Sequence, residues 1–132
     1  MSEKDLMASE NILIVEEHPA LREALRDWLV FSFSNYRVIT SSSYFEAIDL
    51  IKDDSPRLVV MDFTMTGING QHAIQRIKAF APSCKIVILT FIEDETYRSI
   101  IASAGANAQV SKQSLGTDLI PTMNVLLSGS IR

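Results

Sequence analysis

Five times along this chain a short apolar run gives way to a segment whose apolar residues recur at helical spacing, and no other feature constrains the fold as much. The runs are NILIV (Asn11–Val15), YRVIT, RLVVM, KIVILT and AQVS, mostly rich in β-branched residues, as strands are. Leu21, Leu25, Trp28 and Leu29 share one helical face between Pro19 and Phe33. Phe45, Ile48 and Ile51 mark a second helix ending near DDSP. Ile74, Ile77 and Phe80 mark a third, stopped at Ala81-Pro82. Tyr97, Ile100, Ile101 and Ala104 give a fourth, with Gly105 as its C-cap. Leu119, Ile120, Met123, Leu126 and Leu127 give the last, with Asp118 as cap and Pro121 in the first turn. Repeated strand–helix units predict an α/β fold, a parallel sheet with helices on both faces. The first, third and fourth runs are almost unbroken apolar stretches, as strands buried on both sides should be.

Composition narrows what such a fold could do. The chain has 132 residues, 47% of them hydrophobic, which suits one domain with a substantial core. Its net charge of −4 and pI of about 5.1 argue against binding nucleic acid through phosphates, and against anionic membrane surfaces. A single cysteine, Cys84, excludes an internal disulfide, fits a reducing compartment and reads as a small buried hydrophobe. The opening MSEKDLMASE is polar and no apolar run approaches the roughly 18 residues of a membrane span, so a cytoplasmic location is expected.

In a parallel sheet all strands end along one edge, and ligands bind there where the strand order reverses. Glu16 and Glu17 follow the first strand, Asp62 the third, Thr90 the fourth and Lys112 the fifth. Neighbouring strand ends lie only about 5 Å apart, so Glu16, Glu17 and Asp62 should gather into one acidic cluster if the first and third strands are adjacent. A divalent cation such as Mg²⁺ and the Lys112 ammonium would relieve the repulsion. A carboxylate can attack phosphorus to give an acyl phosphate, and phosphoryl transfer needs mainly positioning and charge neutralisation. Lys112 and the Thr90 hydroxyl would serve the phosphoryl oxygens. Singly, each residue has a plain structural role as a cap, strand end or solvated charge; the joint pattern on four strand ends is what points to chemistry. His18, beside Pro19, reads as a helix start and His72 as a surface residue.

NILIVEEHPALREAL, LVVMDFTMTGING, KIVILTF and GANAQVSK together resemble the receiver domain of two-component response regulators, over nearly the whole chain. HPALREAL resembles the NarL/FixJ/LuxR subgroup, whose receivers usually precede a helix-turn-helix DNA-binding domain. The resemblance implies a flavodoxin-like fold with strand order 2-1-3-4-5, over residues 11–128, flanked by an extension (1–10) and a tail (129–132). It implies a regulatory phosphoacceptor, not an enzyme, with Asp62 taking phosphate from a sensor histidine kinase. Glu17, Asp62 and the backbone carbonyl of Thr64 would ligate Mg²⁺, with Glu16 acting through water. Thr90 and Lys112 would contact the phosphoryl group, and a homodimer is left open.

The chain departs from the family pattern in four places. Both acidic positions are Glu where one or both are usually Asp, Thr66 replaces Pro, Phe91 stands where a small residue is common, and Gln109 where Tyr or Phe is. The two Glu and Gln109 motivate an alternative: a receiver that binds a partner without being phosphorylated. A small aspartyl-phosphate phosphatase of the haloacid dehalogenase type would need a second Asp two residues after the nucleophile, where Thr64 stands. A flavin or dinucleotide binder would need a glycine-rich loop where EEHPAL stands.

Overall fold

The computed structural model describes residues 10–65, 67–91 and 94–129. The strands are β1 (Asn11–Val15), β2 (Arg37–Ser41), β3 (Leu58–Asp62), β4 (Lys85–Thr90) and β5 (Ala108–Ser111). The α-helices are α1 (Pro19–Ser32), α2 (Tyr44–Asp54), α3 (Gly70–Phe80), α4 (Glu95–Ala104) and α5 (Leu115–Gly129), and a 3₁₀ turn at Lys112–Ser114 leads into the last. The strands pair in parallel in the expected order, β2-β1-β3-β4-β5. The chain therefore leaves β1 for one edge and returns on its other side at β3, which makes the β1/β3 junction the switch point.

Alternate strand residues feed two opposite core layers. Leu13, Val15, Val59, Met61, Ile86 and Ile88 pack with residues of α2, α3 and α4. Ile12, Ile14, Leu58, Val60, Val87 and Leu89 pack with Leu25 and Leu29 of α1 and Leu119, Met123 and Leu127 of α5. Every residue of β1 and β3 is buried, which explains their unbroken apolar runs and makes their ends a stiff platform. Side chains of Ser43, Asn69 and Asp94 cap α2, α3 and α4. Pro19 starts α1 after an extended His18 whose ring makes no capping bond, and Gly105, at φ 120°, ends α4.

Four helix readings need correction: Phe80 and Tyr97 lie at the exposed margins of their stripes, and Phe45 and the start of the last helix differ as well. Phe45 is 66% exposed; Tyr44, Ala47, Ile48 and Ile51 form the buried stripe instead. The Ser43 cap starts the helix at Tyr44, and the 44/47/48/51 spacing leaves Phe45 to one side. In the last helix, α5 begins at Leu115, so Pro121 lies in the helix interior and Asp118 is not the cap. The Lys112–Ser114 turn, capped where Ser111 Oγ accepts from Gln113 N at 3.2 Å, has already set the chain turning. Pro121 then deprives the Thr117 carbonyl of its helical donor.

Cys84 is buried, which pushes its thiol up to about 12. It is expected to resist a thiol reagent near pH 8 in the native protein and to react fully in denaturant. Native labelling at the unfolded rate would contradict this packing. Among the described residues no helix is long and apolar enough to cross a membrane.

Candidate functional site

β1 and β3 pair with Val15 opposite Met61, so Glu16 and Asp62 are neighbours at the sheet edge. Both are buried, Glu16 completely. Lys112, just past β5, reaches across the edge. Its Nζ donates to Asp62 Oδ2 at 2.7 Å and lies 3.6 Å from Glu16 Oε1, and its own side chain is only 8% exposed. One ammonium thus faces two carboxylates in a low-dielectric pocket, where charges interact far more strongly than in water.

The remaining lone pairs are unevenly served. Asp62 Oδ1 accepts from Thr64 N at 3.1 Å, and Glu16 Oε2 accepts from His18 N at 3.1 Å. Glu16 Oε1 has no hydrogen-bond donor. Arg22 Nη1 donates to the carbonyls of Glu16 at 2.8 Å and Glu17 at 3.3 Å, pinning the backbone that carries both acids. Thr90, buried at the end of β4, lies in register with Ser111. Phe91 is 65% exposed, and its ring centroid lies 5.3 Å from Lys112 Nζ. A cation–π contact at such a site contributes about 0.5–1 kcal/mol. Gln109 Nε2 donates to the Arg98 carbonyl at 2.8 Å, tying β5 to α4, while its buried Oε1 has no partner.

The cluster of three carboxylates expected from the sequence does not assemble. Among the described residues no three His, Cys, Asp or Glu side chains could hold an ion between them. Glu16 turns inward to Lys112 and the His18 N–H, whereas Glu17 stays on the partly exposed rim. The donors available near Asp62 are nevertheless all oxygens, including the orphaned Glu16 Oε1, and such hard donors fit Mg²⁺. His72 is exposed and takes no part, and Thr66 lies outside the described residues.

A family model described as the response regulator receiver domain matches residues 12–124. This chain belongs to that family. The receiver is 32% identical to the response regulator MprA of Mycolicibacterium vanbaalenii, over 88% of the chain and 49% of that relative. It therefore spans about half the length of the curated relatives it matches. A two-component response regulator of the LuxR family from Aurantimonas sp. SI85-9A1 superposes with a TM-score of 0.81 at 29% identity, covering 90% of this chain and 85% of that one. A CheY-like receiver domain protein from Methanospirillum hungatei JF-1 shares the fold, with a TM-score of 0.83 at 21% identity over 92% and 95% of the two chains.

Three residues of this receiver's site carry no sequence signal of their roles. Arg22 acts through backbone carbonyls, and Phe63 and Gly70 meet only in three dimensions. A Cβ built on Gly70 would collide with the Phe63 carbonyl oxygen and lie 2.6 and 2.7 Å from its ring carbons Cδ1 and Cε1.

Proposed function

We propose that this receiver accepts a phosphoryl group on Asp62 from the phosphohistidine of a sensor histidine kinase. The observation that carries the reading is a buried carboxylate at a stiff strand end, hydrogen-bonded to a buried ammonium 2.7 Å away. An Asp62 oxygen attacks phosphorus, a P–O bond forms, and the P–N bond to the donor breaks. Lys112 and the Thr90 hydroxyl donate to the phosphoryl oxygens. Glu17, Asp62 and the Thr64 carbonyl would hold Mg²⁺, with Glu16 acting through water. When bound, the ion supplies neutralisation of the phosphoryl charge. The phosphorylation state of Asp62 would then govern an output domain of the helix-turn-helix class, with a homodimer as one route.

A second reading, a partner-binding receiver that is never phosphorylated, is favoured by the inward Glu16, ion-paired with Lys112 at 3.6 Å, and by the polar Gln109 tie. Intact-mass measurement after incubation with acetyl phosphate, with and without Mg²⁺, separates the two. The phosphoacceptor reading expects a single Mg²⁺-dependent adduct; no adduct at any Mg²⁺ concentration, with the fold intact, selects the second reading.

The glutamates also have a measurable consequence. Fixing the longer Glu17 side chain costs more rotamer entropy than fixing Asp, so Glu17→Asp is expected to tighten Mg²⁺ binding roughly two- to threefold by calorimetry. Weaker binding in that variant would mean that the site is shaped around glutamate.

A further inference from the structure

The residue that follows Asp62 is packed tightly on one side and borders open space on another. The Phe63 N–H donates to the Leu89 carbonyl at 3.0 Å, fixing its backbone to the sheet edge. The next N–H, that of Thr64, is bound by Asp62 Oδ1 itself, so the carboxylate grips the peptide that leaves Phe63. On one side the Phe63 ring lies flush against the start of α3, with no room for even a methyl group on Gly70. On the other it meets the Tyr97 ring of α4 edge to face, with centroids 6.1 Å apart and planes at 83°. Beside that contact, between the start of α3 (Asn69, Gly70, Gln71) and α4 (Tyr97, Ile100), opens a groove of about 310 Å³ that Phe63 also lines.

We propose that Phe63 transmits the state of Asp62 to α4 through its ring contact with Tyr97. The inference rests on the phosphoacceptor reading above. Phosphorylation takes negative charge off the Asp62 oxygens and forces their two present donors, Lys112 and the Thr64 N–H, to rearrange. The Phe63–Thr64 peptide then shifts, and the ring moves off Gly70 into the groove between α3 and α4, changing its contact with Tyr97. That helix is able to respond. Its buried residues, Ile101 and Ala104, lie toward its C-terminal end, while Tyr97, 40% exposed, sits in its first half.

Hydrogen exchange of the α4 amides, with and without acetyl phosphate and Mg²⁺, tests the route, and intact mass on the same samples gives the occupancy of Asp62. Wild type and Tyr97→Phe should both show α4 exchange changing about fivefold or more on phosphorylation. Tyr97→Ala, and Tyr97→Leu as the variant that keeps apolar bulk, should reach the same occupancy with that change lost. A full α4 response in both ring-less variants overturns the proposal. A wild type that takes up phosphate without an α4 response overturns it also, and leaves Asp62 phosphorylation standing. Absence of any adduct removes the phosphoacceptor reading itself and this route with it.

Discussion

Replacing Lys112 with methionine is expected to destabilise the protein by about 3–5 kcal/mol, because it leaves buried charge without its partner. Methionine keeps most of the side chain's length and apolar stem, so the loss isolates the ammonium. Glu16 and Asp62, both buried, would then lose the ammonium that lies against each of them. Phosphate uptake should fall roughly hundredfold, the usual effect of deleting one charge-stabilising donor. Urea unfolding at neutral pH reads the first effect, and the rate of adduct formation reads the second. A variant as stable as wild type at neutral pH would mean that the three groups do not share one desolvated pocket.

Gly70→Ala carries the other large effect. The added methyl has nowhere to go: the obstruction includes the Phe63 backbone carbonyl, which cannot rotate aside as a side-chain tip can. Overpacking of this kind costs about 1–3 kcal/mol, and the better helix propensity of alanine offsets at most about 1 kcal/mol of it. The melting temperature should drop by several degrees, and α3 should be pushed away from the strand end that carries Asp62. Gly116→Ala serves as the control, because nothing lies within 4 Å of its built Cβ. Equal stability in the two variants would show that α3 does not rest on Phe63.

What the sequence disclosed and what it hid differ in physical kind. β1 and β3 were legible because both their faces are buried, so every residue but Asn11 and Asp62 at their ends is apolar. The meeting of Lys112 with Asp62 was legible because parallel topology alone brings those strand ends to one edge. The exposure of Phe45 was not, since an aromatic at helical spacing reads as core until the cap at Ser43 sets the helix phase. Nor was the interior Pro121, because the 3₁₀ turn that starts the last helix early leaves no apolar periodicity behind it. The inward turn of Glu16 depends on two partners remote in kind, an ammonium from β5 and a backbone N–H of the next loop. Composition and spacing are silent on such a choice, and the expected three-carboxylate cluster failed there. Gly70 and Asn107 show the same limit. The Asn107 side chain accepts from Lys78 Nζ at 2.9 Å and from Ile86 N at 2.8 Å, bonds that exist only once β4 and the turn before β5 have come together.

The central claim is that the carboxylate of Asp62, and no other acid on the rim, takes the phosphoryl group. Wild-type protein treated with acetyl phosphate and Mg²⁺, then digested and sequenced by tandem mass spectrometry, tests it most directly, with Asp62→Asn run in parallel. The account predicts one adduct on the peptide containing Asp62 and none in the variant. It is contradicted by an adduct that persists in Asp62→Asn, or by one that maps to Glu16 or Glu17.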